Sequence, residues 1–191
     1  MVRSAPEYVS VALLLRVNPL PPSPLLSALA LFTVGAMLVE TVRASANERA
    51  QRARGGIEPP GDVYGLMRVA YPGAFLAMFV EGALRTAPPS AVVVAGAALF
   101  IAAKGLKWWA ILSLGRFWTF RVIVVPDARL VVGGPYRWLR HPNYVGVMGE
   151  LGGVALMTGA LVSGVVGIAT FGVLVVRRIA IEERALRETA R

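Results

Sequence analysis

The chain reads as an all-α integral membrane protein with about five transmembrane helices, a short cytoplasmic loop region and a C-terminal helical hairpin. Two observations carry this. The 191 residues are 56% hydrophobic and only 16% charged, far from the balance of a soluble domain, and the apolar residues recur as separate runs close to membrane-crossing length. The cations, in turn, gather at the ends of those runs, where anionic lipid headgroups lie. The length suits a single membrane domain over residues 1–191.

The elements follow in order. Residues 1–23 read as an N-terminal arm or interfacial segment: the apolar stretch from Val9 to Leu15 is short, Arg16 interrupts it, and Pro19, Pro21, Pro22 and Pro24 follow, which is no clean signal peptide. The first span is 25–42, about 27 Å of helix. The second, 69–84, contains Pro72 and Gly73, a kink tolerated where neighbouring helices satisfy the freed carbonyl. The third, 91–114, carries Lys104 and Lys107 just before Trp108 and Trp109, read as cations snorkelling to an interface where tryptophans also prefer to sit. A connector, 116–141, holds two extended runs about Pro126-Asp127, as a small hairpin or simply as two strands-like segments around a turn. The apolar region from Tyr144 to Val176 is too long for one perpendicular span, and splitting it near Thr158-Gly159 predicts helices over 143–158 and 160–183.

Charge sets the orientation. Seventeen of the 20 Lys and Arg residues fall after the first, third and last spans, and only Arg3, Arg16 and Arg85 fall on the other side. The positive-inside rule then makes the three-part basic face cytoplasmic, with the C-terminus inside. A net charge of +9 without aromatic-basic interleaving or a groove-reading motif points to lipid headgroups, not nucleic acid. Absence of cysteine and a single histidine leave no thiolate chemistry and no evident metal set, so metal-free chemistry is expected. The arginine bias of the cations, with abundant Ala, Gly and Val, hints at a GC-rich prokaryotic genome.

Candidate chemistry concentrates in Arg140-His141-Pro142-Asn143-Tyr144-Val145-Gly146-Val147. Pro142 suits the first position of a helix, which needs no N–H. The amides of Asn143, Tyr144 and Val145, flanked by Arg140 and His141, would then form an anion site, unless those two side chains merely meet headgroups. At the exit of the last helix, Arg178 and Glu182 are spaced i,i+4, as are Glu183 and Arg187. They are either solvated pairs or groups turned inward beside the first cluster. Glu40, Glu81 and Glu150 fall in or near spans, where acids are functional suspects. Glu150, two turns into the fourth helix, is the strongest of the three, whereas Glu40, near Arg43, also fits a paired interfacial residue. Gly149-x-x-x-Gly153 permits close helix contact.

The block Gly134-Pro135-Tyr136-Arg137 through Arg140-His141-Pro142-Asn143-Tyr144-Val145-Gly146 resembles the isoprenylcysteine carboxyl methyltransferase family. So does Arg178-Ile179 followed by Glu182-Glu183 and Leu186. The bacterial branch is similar upstream at 106–119, at Asn47 and at Arg54-Gly55-Gly56-x-Glu58. The resemblance implies S-adenosylmethionine as cofactor, held by the part 134–188 on the cytoplasmic side of a multi-pass protein of a bacterial inner membrane. Tyr136, Arg140, His141, Pro142, Asn143, Tyr144 and Gly146 would line the cofactor or acceptor site, closed by Arg178, Glu182 and Glu183. Arg140, Glu150, Arg178 and Glu183 are the candidate catalytic residues. The acceptor is expected to be a lipophilic small molecule or lipidated group, isoprenylcysteine-like or a phenolic lipid, methylated on oxygen. A carboxylate acceptor needs only an arginine to position it, while a phenol needs a base such as Glu150, Glu183 or His141. Competing readings are a phospholipid N-methyltransferase, an NADPH-dependent sterol-type reductase, and a non-catalytic transporter or assembly protein. Against transport stand the few spans, the lack of a repeat and polar groups gathered on one side.

Overall fold

A computed structural model describes residues 23–126, 128 and 130–189. The arm expected over 1–23 lies outside them except for Ser23, and so do Asp127 of the expected turn and the cations Arg3, Arg16, Arg129 and Arg191. The described residues form five α-helices: α1 Pro24–Arg52, α2 Tyr64–Leu84, α3 Ser90–Leu114, α4 Pro142–Thr158 and α5 Leu161–Thr189. Three of them, α1, α3 (extended to Phe117) and α5, are long and apolar enough to cross a membrane. Large apolar side chains such as Leu31, Leu38, Ile101, Val165 and Val176 point outward, a surface stable only against lipid. This is an all-α integral membrane protein.

Local chemistry sets the helix ends. Ser23 caps α1, its hydroxyl accepting from the Leu26 amide at 3.2 Å, with Pro24 in the first turn. The helix then runs ten residues beyond the expected end at residue 42, because the polar stretch after Val42 contains no breaker and carries an i,i+4 pair between Glu48 and Arg52 at 3.0 Å. It therefore rises out of the apolar layer as a solvated helix. Pro72 sits inside α2 without ending it. Gly159, at φ +68°, stops α4 in the left-handed region and turns the chain straight into α5, which glycine does without a Cβ penalty. The exposed first amides of α5 are met by Glu81 from α2, which accepts from Val162 N–H at 3.1 Å and Ser163 N–H at 2.7 Å.

Helix α4 packs most extensively on α3, and small residues make this possible. A Cβ at Gly153 would come within 2.7 Å of Phe100 Cβ and 2.8 Å of the Gly96 carbonyl, and one at Gly149 within 2.7 Å of Ala103 Cβ. Backbones this close gain dispersion over a long contact. The main core surrounds Leu151 and Val154 of α4, with Phe75 and Met78 of α2, Phe100 of α3 and Phe171 and Leu174 of α5.

Of the two readings of the connector, the hairpin does not form: among the described residues, 122–125 does not pair with 130–132. Val124 instead pairs antiparallel with Ile57, with reciprocal N–H···O distances of 2.8 and 2.9 Å, because the α1–α2 loop passes within reach and offers free backbone groups. No strand longer than this bridge occurs among the described residues. As a consequence of up-and-down connectivity, the end of α1, the start of α2, the end of α3, the start of α4 and the end of α5 share one end of the bundle. The connector covers it.

Replacing Gly153 by leucine is expected to lower the thermal midpoint in detergent by several degrees, an overpacking cost of about 1–3 kcal/mol. Gly35→Leu, with open space around its Cα, is expected to leave the midpoint nearly unchanged. Equal midpoints for the two variants would contradict the α3–α4 contact.

Candidate functional site

The start of α4 and the end of α5 meet. His141 is the residue before α4, and its Nε2 lies 3.4 Å from Glu183 Oε1, while its Nδ1 lies 4.0 Å from Glu182 Oε2. Its ring stacks on Tyr144 at 5.7 Å. Tyr144 donates its hydroxyl to Glu182 Oε2 at 3.0 Å and accepts from Arg178 Nε at 2.8 Å. The two acids one turn beyond Arg178 are therefore each tied to a residue at the mouth of α4. Arg140 is 88% exposed, with Nη1 at 3.8 Å from Glu183 Oε1, so its guanidinium is free to meet something else. The Tyr144 and Val145 amides close back on the His141 carbonyl at 3.1 and 3.3 Å. Of the three amides expected to face an anion, these two are already satisfied.

A cleft of about 550 Å³ opens between these helix ends and the connector, a size suited to a small-molecule ligand. Tyr136, Arg140, His141, Glu182 and Glu183 form its polar side, and the apolar side chains of 123–132 with Leu114 and Phe117 form the other. A smaller recess of about 130 Å³ continues inward past Asn143, Tyr144 and Arg178. Burial raises the Tyr136 phenol above its usual range, and the nearby Glu182 charge adds to this, so the hydroxyl stays protonated and can donate.

Eight of the sequence-expected residues line these two spaces; Pro142, Gly146 and Glu150 do not. Pro142 is buried as the first residue of α4. Gly146 faces α3, where a Cβ would meet Lys107 Cβ at 2.8 Å; its smallness serves helix contact, not a cofactor. Glu150 lies deeper, in a buried ring of charges. Lys107 Nζ is 2.7 Å from Glu40 Oε2 and 3.3 Å from Glu150 Oε2. Lys104 Nζ is 2.9 Å from Glu150 Oε1 and 3.4 Å from Glu40 Oε1. Tyr71 also donates to Glu150 Oε2. The two oxygens of Glu150 are taken up by Lys104, Lys107 and Tyr71, and it does not open onto the cleft, so it is not placed to serve as a base there. The snorkelling expected of the lysines is likewise corrected: Lys107 is 2% exposed and Lys104 12%, because two acids inside the bundle offer better partners than a distant headgroup. Glu40 pairs with these lysines and not with Arg43.

Sequence reading did not single out Asp62. Its Oδ1 accepts from Arg178 Nη1 at 2.7 Å and from the Tyr64 amide at 3.1 Å, and its Oδ2 accepts from the Val122 amide at 3.0 Å. Arg178 Nη2 reaches the Phe120 carbonyl. The guanidinium is thus committed internally, which makes Arg178 a positioning residue for Tyr144 and the connector. Trp118 is 3% exposed and donates to Asn143 Oδ1 at 3.3 Å, so it anchors the start of α4 and not the bilayer surface. Asn47 donates to the Gly115 and Trp118 carbonyls at 3.0 and 2.8 Å. Glu58 joins Arg52 and Arg121, each at 2.6 Å. Burial alone would raise its pKa, but the hydrogen bonds from Arg52 and Arg121 outweigh it and hold the carboxyl below its usual range.

Comparison with known proteins places this geometry in context. The model of the isoprenylcysteine carboxyl methyltransferase family matches residues 96–188. An uncharacterized protein of Bacillus subtilis (strain 168), YpbQ, is 32% identical over 149 residues, which is 78% of this chain and 89% of that protein. An uncharacterized protein of Haemophilus influenzae is 25% identical over 141 residues, 73% of this chain and 82% of the relative. No solved structure matches the chain.

Asp62→Asn is expected to destabilise the protein by about 3–5 kcal/mol, since it strands a buried guanidinium. Arg187→Ala breaks an exposed pair with the Glu183 carboxylate at 3.6 Å and an exposed hydrogen bond to the Glu183 carbonyl at 3.1 Å, and is expected to cost under about 1 kcal/mol. Denaturant unfolding in detergent distinguishes them, and similar losses would refute the central role of the buried pair.

Proposed function

We propose that this chain, which belongs to the isoprenylcysteine carboxyl methyltransferase family, is an S-adenosylmethionine-dependent methyltransferase that modifies an oxygen of a lipophilic acceptor at the end of the bundle where α4 and α5 meet. The observation that carries the reading is that convergence: the two motifs, some forty residues apart in sequence, stand 3.0–3.4 Å apart through Tyr144–Glu182 and His141–Glu183 on one wall of a ligand-sized cleft.

The residues present suit the cofactor. S-adenosylmethionine supplies a methyl group on a cationic sulfur, together with an ammonium, a carboxylate and an adenosine. Glu182 and Glu183 would hold its cationic groups, and Arg140 with His141 would hold its carboxylate by charge-assisted hydrogen bonds. Tyr136 and the apolar connector wall would flank the adenosine. Orientation is the main lever in this reaction, and the connector keeps water from the reacting groups. Arg140, being exposed at the rim, suits the positioning of an anionic acceptor oxygen. For a phenolic acceptor, Glu183 and His141 are the bases within the cleft, and they replace Glu150 in that role.

Five membrane crossings fit the same reading. Helix α2, with 21 residues, and α4, with 17, measure about 32 and 26 Å, close to the thickness of a hydrocarbon core. The excess of arginine at the site end supports a cytoplasmic cleft in a bacterial inner membrane, and both relatives are bacterial. In this layout 134–188 is the cofactor-binding part of a single membrane domain.

Calorimetric titration of the detergent-purified protein with S-adenosylmethionine is expected to show one site. His141→Ala and Glu183→Ala are expected to weaken it by about tenfold or more, each removing a charged contact. Arg85→Ala, at the far end of the bundle and paired with Glu81 at 2.8 Å, is expected to bind as wild type. No binding, or equal behaviour of the three variants, would overturn the assignment. Methylation of prenylcysteine, alkylresorcinol and phosphatidylethanolamine then identifies the acceptor.

A further inference from the structure

The ring Glu40–Lys107–Glu150–Lys104, with Tyr71, is the feature that the proposed chemistry leaves unused. It draws on four helices: α1 supplies Glu40, α2 Tyr71, α3 both lysines and α4 Glu150. The four charges alternate in sign around the ring, each acid within 3.4 Å of both lysines, so the cluster is neutral as a whole. Tyr71 packs its ring against Phe171 of α5 at 5.2 Å, which brings in the fifth helix.

Stability alone is a weak reason to keep such a ring. Desolvating four ions costs so much that well-packed apolar side chains of similar size hold a core together at least as well. What ion clusters supply better is register. The α3–α4 contact sets register only in part, because small residues, Gly96, Ala103, Gly146, Gly149 and Gly153, make up much of it and Leu99, Phe100 and Leu156 are the larger side chains seated against them. Such smooth faces fit closely but offer few knobs to oppose sliding or rotation. A slip of one helical turn is about 5.4 Å, larger than every distance that joins α4 to α5 at the cleft.

We propose that Glu40, Tyr71, Lys104, Lys107 and Glu150 are positioning residues that set the register of α4 on α3 and thereby aim His141 and Tyr144 at Glu183 and Glu182. They touch neither cofactor nor acceptor. Glu150 acts through the axial and rotational setting of α4, two turns from the cleft.

Two charge-balanced double variants test this, each removing one charge of either sign and leaving the Glu40–Lys107 pair in place. Lys104→Met with Glu150→Leu leaves α4 no polar group for Lys107 or Tyr71. Lys104→Met with Glu150→Gln keeps an acceptor for both. The chain has no cysteine, so spin labels attach only at introduced cysteines, here Leu112→Cys on α3 and Val145→Cys on α4, both outward-facing. Pulsed electron paramagnetic resonance is expected to give one narrow distance for the labelled parent and the Gln variant, and a broadened or shifted distribution for the Leu variant. The Leu variant is expected to melt no lower than the Gln variant, so a general loss of stability does not reproduce the pattern. Affinity for S-adenosylmethionine is expected to fall about tenfold or more in the Leu variant only, as for a displaced site. A narrow, unchanged distance in the Leu variant overturns the proposal. The affinity measurement rests on the methyl-donor reading, but the distance measurement does not. Absence of binding by the parent would therefore count against that reading and leave the register test intact.

Discussion

A guanidinium buried where a membrane bundle meets its covering loop must be answered on every side, and the way Arg178 is answered organises the site end of this protein. Asp62 takes one nitrogen, the Phe120 carbonyl a second and the Tyr144 hydroxyl the third. Those partners belong to the α1–α2 loop, the connector and α4. One side chain of α5 thus draws together three segments that also meet one another through the Ile57–Val124 bridge and the Trp118–Asn143 hydrogen bond. Both members of the ion pair are nearly inaccessible, at 5% and 4%. In that setting an unmet charge is far more costly than a lost surface pair, so the four segments are held as a unit.

From this clamp the cleft follows. With Tyr144 fixed by Arg178, its hydroxyl proton is directed to Glu182, and the stacked His141 ring is brought beside Glu183. The connector, pinned through the Val122 amide to Asp62 and through Val124 to Ile57, supplies the apolar wall opposite. Two separate electrostatic devices therefore build the site: the clamp at the mouth and the charge ring inside the bundle. The clamp borders only the inner recess, through Tyr144 and Arg178, and the ring lies outside both spaces. Arg140 and the two glutamates stay available for a ligand.

Much of this was legible in the sequence. Apolar run lengths revealed the helices, Gly159 marked the turn between α4 and α5, and Pro142 marked the start of α4. The two motifs pointed to residues that do share a cleft. What was not legible has a common cause. Asp62 and Arg178 are 116 positions apart, and nothing local to Asp62 announces its partners. Lys104 and Lys107, near tryptophans at the end of a span, carry the pattern of snorkelling residues, and only the placement of Glu40 and Glu150 opposite them reveals burial. Glu150 drew notice because an acid in a span is unusual, but the same rarity serves a structural ring as well as a base. The polar extension of α1 was missed because a hydropathy reading stops where the apolar stretch stops, whereas the backbone helix does not.

The central claim is that the start of α4 and the end of α5 together hold the methyl donor. Hydrogen exchange of the protein in detergent, with and without S-adenosylhomocysteine, tests it most directly. The account predicts slower exchange in both 134–146 and 178–188, with no change at the opposite end in 85–90 and 159–162. Protection of only one of the two segments, or of the opposite end, would contradict it.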